Sequence, residues 1–594
     1  MGIIDHANLR FWHLVYLVFG LCLSLGLDAA EIPAVPGHTS SSENSVVQRS
    51  DPNEDRYLRR RMRPTEPLPN DKQPILKRKK APMLTTPQTG GIRIFVRRVN
   101  VTGNTVLDDQ QIEALTRRVV NRSVTFAELK NTADAITQLY VEQGYLTSRA
   151  ALVPQEVRDG IVRIQAVEGQ VQDIEVKGAR RLRPSYVRSR VALGATSPLN
   201  VNRLEEELIL LKTDPLLADL RASLRPGDRL GQSRIVTEIT EADPIEIVIN
   251  IDNFSPPSIG SERTGVLLLH RNLLGLGDEV YGAYNRTTNG ASNNGEFSYR
   301  IPFNARNGTL QVRAVIDRSD VTEEVAEDLN IRSDSELFEA SIRQPLIRSI
   351  RDELALSLGF SRQNGKTFLG DVGFGFGIGP EADGTSRTSV LKFGQDYSHR
   401  DPSGVLTLRS QLNWGIDVLD ATLNNSPVPD GRFFSWLFDI QRVQRLHEDH
   451  LLIAESELQL TPDSLLPSEQ YVIGGGRTVR GYRENARFGD NGFRISIEDR
   501  YAVYRGKNLL PIVQLVPFTD LGVVWNAAGN PNDESLPSQR FLATVGLGLL
   551  LTPLPGCDLR LDYAVPLIDL NDRGDNLQDH GVHFSIYLSP LAWL

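Results

Sequence analysis

The sequence predicts a β-rich protein in which two small α/β modules precede a sixteen-stranded antiparallel transmembrane β-barrel. Three observations predict this fold. An apolar segment of the kind found in exported proteins opens the chain, and no later window is apolar for long enough to form a membrane helix. Two stretches then follow the same outline of strands and helices. After Pro244, short alternating segments replace helical periodicity.

Composition and charge exclude several classes of protein. The chain has 594 residues, of which 40% are hydrophobic and 23% charged, and its formal net charge is -9. A chain with net negative charge is not expected to be a general nucleic-acid binder. Its two cysteines, Cys22 and Cys557, have no metal-ligand spacing, so we predict neither a structural zinc site nor a disulfide scaffold. No other metal site and no cofactor is expected.

The first thirty residues have the pattern of a secretory signal peptide. Arg10 precedes the apolar stretch 11–27, and the small pair Ala29-Ala30 follows it. A membrane anchor is the alternative, but the stretch is short for a hydrocarbon core about 30 Å thick. We therefore predict export, with residues 1–30 as the signal peptide.

Residues 31–91 are predicted to be a linker. They contain nine prolines, many Ser and Thr residues and no sustained periodicity. Within the linker, residues 53–63 (NEDRYLRRRMR) lack Pro and Gly and have the composition of a short, strongly basic helix. A solvated run of charges is the alternative interpretation.

Two successive α/β modules are predicted over residues 92–168 and 169–242. In the first, Thr125 and Glu128 have the spacing of a capping box, which marks the start of a helix that ends at Gly144. The second repeats the order of elements in outline. The apolar residues of the capped helix recur on one face and are Leu129, Ala133, Ile136 and Tyr140.

Residues 243–594 are predicted to form the barrel. Segments such as 406–414 (LTLRSQLNW) and 493–498 (FRISIE) alternate, with apolar residues in one parity and charged or polar residues in the other. A soluble sandwich would turn its charges to water, whereas a membrane barrel turns its apolar parity to lipid and its charges to a wet lumen. We place sixteen strands between residues 247 and 588. An even number in an exported chain favours the membrane barrel.

Five short motifs stand out in the folded regions. They are GYLTSRAALVPQEVRDGIVRIQAVEG (144–169), LRPG (224–227), GQS (231–233), GGGRTVRGY (474–482) and FTDLG (518–522). The first three resemble parts of the two POTRA domains of two-partner secretion transporters, the haemolysin and haemagglutinin secretion family. The last two are similar to the hallmark barrel motifs of the same superfamily. The resemblance covers the chain from about residue 92 to its C-terminus.

The resemblance implies a site inside the barrel. In that family a long loop carries the first barrel motif back into the lumen, and its arginine pairs with the aspartate of the second motif. We place this loop in the connection 462–491. The matching pair is Arg480 with Asp520, the neighbouring residues of the loop motif are Val479, Gly481 and Tyr482, and those of the wall motif are Phe518 and Gly522.

The residues themselves indicate where Asp520 lies and what the loop motif does not bind. Strand parity places Asp520 on the same side as Gln514, opposite the apolar set Val513, Leu515, Leu521 and Val523. A phosphate-binding loop is excluded, because Gly481 is followed by Tyr482-Arg483 instead of the Lys-Ser/Thr that such a loop requires.

The resemblance implies transport and not catalysis. The implied protein is an outer-membrane pore whose periplasmic POTRA domains recognise an unfolded exoprotein, adhesin-like or haemolysin-like, which the pore then translocates. A barrel-assembly insertase shares both barrel motifs and is the alternative. An enzyme is not expected, since neither H-E-x-x-H nor G-x-S-x-G occurs. The implied partners are the exoprotein, outer-membrane lipids and, during biogenesis, the barrel assembly machinery, with no nucleic acid.

The resemblance also suggests a role for residues 53–63. In the family a helix from the N-terminal tail plugs the lumen. The arginines of this segment would then meet acidic residues of the inner wall, including Glu455, Glu457 and Glu498. A disordered basic tail is an equally good interpretation.

Overall fold

The computed structural model describes residues 76–77, 93–323, 329–507, 509–535 and 537–593. The predicted signal peptide (1–30) and the predicted plug helix (53–63) lie outside these residues. Across the described ranges, no helix is both long and apolar enough to cross a membrane. The linker contributes one two-residue strand, β1 (Leu76–Lys77).

The first module packs two helices against a three-stranded sheet. Its elements are β2 (Arg93–Val96), β3 (Arg98–Thr102), α1 (Asp109–Thr116), β4 (Arg122–Thr125), α2 (Phe126–Glu142), β5 (Arg149–Leu152) and β6 (Ile161–Val167). The sheet has the order β3-β6-β5, and β2 pairs with β4 in a separate ribbon. The predicted capping box is confirmed, since Thr125 and Glu128 accept each other's backbone N–H groups at the start of α2. Strand β4 was not predicted.

The second module repeats this plan with one addition. Its elements are β7 (Gln170–Lys177), α3 (Pro184–Gly194), α4 (Val201–Lys212), β8 (Leu217–Pro226) and β9 (Gln232–Glu241). Buried residues of both helices, including Val187 and Leu208, pack against Ile235 of the sheet. The sheet order is β1-β8-β9-β7, because β1 from the linker pairs in parallel with β8, with Leu76 opposite Ala222.

The second module also contacts the near end of the barrel through hydrogen bonds. The backbone N–H of Arg183 donates to the carbonyl of Gly275 at 2.9 Å. The guanidinium of Arg190, which lies over the ring of Tyr186, donates twice to the side-chain oxygen of Asn307. Both partners lie in turns between barrel strands, so this end of the barrel faces the α/β modules.

The barrel predicted from the sequence is confirmed, with sixteen strands in one closed antiparallel sheet. The strands are β10 (Ile245–Asp252), β11 (Arg263–Arg271), β12 (Glu279–Thr287), β13 (Ser292–Pro302), β14 (Thr309–Asp320), β15 (Ile331–Arg348), β16 (Asp352–Leu369), β17 (Val372–Gly373), β18 (Thr385–Asp401), β19 (Gly404–Gly415), β20 (Phe434–Arg445), β21 (His450–Leu460), β22 (Tyr471–Ile473), β23 (Arg487–Gly489), β24 (Asn491–Arg505), β25 (Pro511–Trp525), β26 (Phe541–Leu554), β27 (Cys557–Pro566) and β28 (Val582–Leu588). The short strand β17 only extends the β16 hairpin, and β22 and β23 form a small hairpin of their own. The sheet closes where β10 pairs with β28, from Ile249 opposite Leu588 to Asp252 opposite Ser585.

Strand parity sorts the side chains as the sequence predicted. On β13, Phe297 is 51% exposed on the outside whereas Ser298, the next residue, is 8% exposed. The chain enters the barrel at Ile245 directly from the second module, and successive strands are antiparallel. The connection 461–490, which follows the eleventh strand of the barrel, therefore begins at the end far from the modules.

Glu241, the last residue of β9, holds the chain segment that precedes α3. Its carboxylate accepts hydrogen bonds from the backbone N–H groups of Arg180, Arg181 and Leu182 at 2.7–3.2 Å. Burial raises the pKa of Glu241, but these N–H donors outweigh burial, and the pKa lies below its usual value.

We expect Glu241→Gln to destabilise the second module by about 1–2 kcal/mol, because an amide offers one acceptor oxygen where the carboxylate offers two. A carboxylate with a lowered pKa stabilises the fold above its unfolded-state pKa, and this contribution is lost as the pH falls through the folded-state pKa. The difference in thermal unfolding temperature between wild-type and variant fragments 92–242 should therefore shrink in acid. Glu238→Gln, at an exposed position of the same strand, is the control and should change nothing; an equal deficit at pH 7 and pH 3 would contradict the assignment.

Candidate functional site

The connection 461–490 turns back into the lumen. Its root consists of residues 461–473 and 487–490 and includes the β22–β23 hairpin, and its tip consists of residues 474–486. Most residues of the tip are buried. Gly474 and Gly475 join root to tip with φ values of 110° and 96°, a region that glycine adopts readily and other residues rarely.

Arg480 at the tip binds Asp520 on the inner face of β25. The guanidinium forms a bidentate pair, with Nε donating to one carboxylate oxygen and Nη2 to the other, each at 2.7 Å. The backbone N–H of Arg480 also donates to Asp520 at 3.1 Å. Asp520 is 0% and Arg480 5% exposed. The structure thus brings together the two residues that the resemblance paired.

The pair belongs to a larger cluster of three cations and three anions. Arg480 also donates to Glu498 at 3.1 Å, and Glu498 in turn binds Arg500 and Arg560 at 2.8 and 2.9 Å. Arg560 completes the cluster by binding Asp562 at 2.8 Å. Equal numbers of opposite charges, each with a close partner, make burial of the cluster tolerable.

Phe518 of the wall motif packs its ring against the guanidinium of Arg480. The guanidinium carbon of Arg480 lies 3.5 Å from the centre of the Phe518 ring, which is a cation–π contact. The ring fits because Gly546 faces it across the sheet; a Cβ atom at that position would lie 2.3 Å from the ring. The phenylalanine of the motif therefore belongs to the arginine's binding site.

The remaining motif residues seat the tip against the wall. Val479 is fully buried and packs where Gly522 has no side chain; a Cβ atom on Gly522 would lie 2.8 Å from Val479. Gly481 adopts a φ of 90° and donates its N–H to Nε2 of His583 at 2.9 Å. The hydroxyl of Tyr482 hydrogen-bonds to the carbonyl of Ala543 at 2.8 Å. Backbone and side chains of the tip are both held.

Sequence reasoning missed several members of the site. Ser496 donates to Asp520, directly opposite it on β24, at 2.6 Å. Arg560, Asp562 and His583 come from β27 and β28, far along the chain. All lie in the inward parity of strands whose alternation is visible in the sequence, so parity could have proposed them as lumen residues. Parity could not have identified which of these residues contact one another.

The acidic residues expected to hold a plug helix already have basic partners on the wall. Glu457 binds Arg494 at 2.7 Å, and Glu455 lies 3.8 Å from the same guanidinium. Glu498 belongs to the cluster described above. Less uncompensated negative charge therefore faces the lumen than the sequence suggested. Residues 53–63 themselves lie outside the described residues.

The site has no features of a metal centre. Within the part of the chain that the structure describes, no group of three or more His, Cys, Asp and Glu side chains is placed to hold a metal ion. Each carboxylate of the cluster instead faces arginine. The arrangement can fix a loop by charge pairing.

A sixteen-stranded barrel with α/β modules at its entrance, and a loop bound to its inner wall, is the architecture expected of an outer-membrane barrel protein with POTRA domains. The sequence model of the haemolysin secretion/activation proteins (ShlB/FhaC/HecB) matches residues 231–551, and that of the ShlB-type POTRA domain matches residues 94–169. The first match spans more than half of the chain, and the chain belongs to this family. It is a two-partner secretion transporter of the outer membrane, with its POTRA domains in the periplasm.

Curated relatives and solved structures agree with this membership. The outer membrane transporter CdiB of Escherichia coli is 24% identical over 449 residues, which cover 71% of this chain and 72% of that protein. The heme/hemopexin transporter protein HuxB of Haemophilus influenzae is 20% identical over 82% of this chain and 86% of its own. The solved structure of CdiB from Escherichia coli, 22% identical, has the same fold with a TM-score of 0.64, covering 86% of this chain and 94% of that one.

We expect removal of Arg480 to destabilise the barrel more than removal of Asp520. Arg480→Ala leaves a fully buried carboxylate with Ser496 and a backbone N–H, whereas Asp520→Ala leaves Arg480 still bound to Glu498. Breaking a buried pair costs about 3–5 kcal/mol, and a wet lumen lowers this, so we expect about 3 kcal/mol for Arg480→Ala and about half for Asp520→Ala. Urea unfolding in detergent, followed by loss of heat-modifiable migration, measures both. Equal losses, or the reverse order, would contradict the proposed division of contacts.

Proposed function

We propose that the second POTRA domain captures an unfolded exoprotein at the edge of β8, that the lumen conducts it outward without enzymatic chemistry, and that the Arg480–Asp520 pair locks the inward loop in its resting position. Capture is supported by one observation above all. Strand β1, an extended segment, already pairs with the edge of β8. A sheet edge with free backbone N–H and C=O groups binds extended chains of many sequences, since the backbone supplies the hydrogen bonds.

A cavity of about 1050 Å³ lies between the second module and the barrel wall, and we take it as the entrance to the lumen. Tyr186 and Asp214 of the second module line one side, and Arg343 and Asp396 of the barrel wall line the other. The lining is rich in ion pairs, such as Arg343 with Glu353 at 2.7 Å. A polar, charge-balanced wall does not bind an unfolded chain tightly, which suits conduction.

The proposed lock rests on burial of opposite charges. While Arg480 and Asp520 are paired, the tip lies against β24–β28 and occupies that side of the lumen. Separating them would leave two desolvated charges without their partners, which is costly. The loop should therefore stay in place until something compensates both groups, such as water or polar groups of the exoprotein. During biogenesis the apolar outer belt is expected to meet lipids and the barrel assembly machinery.

Strand addition at β8 predicts how two fragments should differ. Fragment 92–242 lacks β1 and should bind the unfolded N-terminal segment of the exoprotein in calorimetry. Fragment 70–242 includes β1, which occupies the same edge, and should bind at least several-fold more weakly. Replacing Leu76 and Lys77 by proline removes two backbone N–H groups and should restore binding. Equal affinities of the two unsubstituted fragments would locate capture elsewhere, and no binding by either would refute capture by this domain pair.

The lock predicts non-additive losses of secretion. Arg480→Ala and Asp520→Ala should each reduce secreted exoprotein sharply while a heat-modifiable barrel remains in the membrane. The double variant should lose little more, because either change alone breaks the same pair. Arg480→Lys should rescue only partly, since lysine lacks the planar fork.

Arg442→Ala is the matched control for this cycle. It removes an ion-paired arginine of β20 that does not line the cavity, and its partner, Asp401, belongs to a barrel strand and not to the loop. It should leave secretion close to the wild-type level. Losses that simply add in the double variant would mean that Arg480 and Asp520 act independently, and would reject the lock.

A further inference from the structure

The root of the inward loop has an anchor of its own, which is chemically unlike the one at the tip. Asp490, the last residue of the loop before β24, is 0% exposed. Its carboxylate accepts four hydrogen bonds, all from neutral N–H groups. Within the described residues it has no ion-pair partner. A buried anion satisfied only by neutral donors requires these donors to be held in place.

The four donors come from two different parts of the chain, one for each carboxylate oxygen. Oδ1 accepts from the backbone N–H of Leu465 and the side-chain amide of Gln470, both at 3.0 Å. Oδ2 accepts from the backbone N–H of Ala527 at 2.9 Å and the side-chain amide of Asn530 at 2.6 Å. One oxygen thus holds the first half of the loop, and the other holds the connection between β25 and β26.

Close packing of the backbone reinforces this junction. A Cβ atom on Gly489, beside Asp490, would lie 3.0 Å from backbone atoms of Trp525. The β22–β23 hairpin pairs Tyr471 with Gly489 directly above the junction. The two glycines with positive φ, Gly474 and Gly475, follow the hairpin and begin the tip. The root therefore ends at two residues whose backbone conformation glycine adopts readily and other residues rarely.

We infer that Asp490 is a positioning residue that fixes the root of the loop to the β25–β26 connection, so that release of Arg480 frees the tip but leaves the loop inserted in the lumen. This inference rests on the proposed role of the Arg480–Asp520 pair. Among its contacts with the wall, the loop then has two attachments of different chemistry: a charge pair at its tip and a carboxylate held by neutral donors at its root. Complete withdrawal of the loop requires both to break.

The first test measures the root directly, in the full-length protein on intact cells. A Ser468→Cys reporter in a Cys557→Ala background is labelled from outside with a membrane-impermeant maleimide; Ser468 lies in the root, between Leu465 and Gln470. Asp490→Asn keeps the size of the side chain but replaces one acceptor oxygen by a donor. It should raise the labelling rate several-fold, whereas Arg480→Ala should not.

The matched control is Asp463→Asn, which makes the same chemical change in the same loop. The Asp463 carboxylate accepts one backbone N–H, from Phe434, and is only partly buried. It should leave labelling unchanged. If Asp490→Asn fails to give a heat-modifiable barrel, Asn530→Ala takes its place, because it removes one donor while keeping Asp490. A smaller increase in labelling is then expected.

The second test measures both attachments together as conductance of purified full-length protein in planar bilayers. Arg480→Ala and Asp490→Asn should each raise conductance modestly, and the double variant should exceed the product of the two single effects several-fold. Unchanged labelling in Asp490→Asn, or a double variant no different from Arg480→Ala, would overturn the anchor. If Asp490→Asn raises the labelling rate while Arg480→Ala leaves secretion unchanged, the Asp490 anchor is supported and the proposed Arg480–Asp520 lock is rejected.

Discussion

The structure of the lumen depends on the buried pair between Arg480 and Asp520. A guanidinium and a carboxylate withdrawn from water are costly to bury unless geometry and additional hydrogen bonds compensate both. Here the wall supplies Ser496 for Asp520, and Phe518 and Glu498 for Arg480, while the loop adds the backbone N–H of Arg480 for Asp520. The other motif residues follow from this requirement, because Gly522 and Gly546 make room for the side chains that bring the pair together. The two barrel motifs thus contain the residues that allow one charge pair to be buried.

The sequence predicted the fold well for a physical reason. A strand that separates lipid from a wet lumen must alternate, so all sixteen barrel strands left a signal, and parity alone placed Asp520 on the inner face. The resemblance supplied the partner, Arg480. Neither strand parity nor the family resemblance predicted the cluster of charged residues around this pair. Arg560 and His583 reach the site only because the sheet curls into a closed barrel, and that proximity depends on register and shear, which short-range periodicity does not encode.

Strands β1 and β4 of the POTRA domains were not predicted, for a different physical reason. Strand β4 has four residues and β1 has two, which is too short for a period of two to stand out against neighbouring loop sequence. Both strands form because a partner edge is available. Strand β1 in particular comes from a proline-rich linker that has no strand pattern, yet it pairs with β8. An edge that accepts such a segment makes few demands on side chains, and this tolerance is what capture of an unfolded chain requires.

The two ends of the inward loop solve the same problem with different chemistry. At the tip, a full positive charge meets a full negative one, and water or salt that reaches the pair weakens it. At the root, Asp490 is held by four neutral donors, two of them backbone groups that do not titrate and that move only with their chain segments. On the roles proposed for them, the tip attachment responds to what enters the lumen and the Asp490 attachment does not. A loop built in this way would yield locally to a passing chain and return to the same position, because Asp490 would keep its root on the wall.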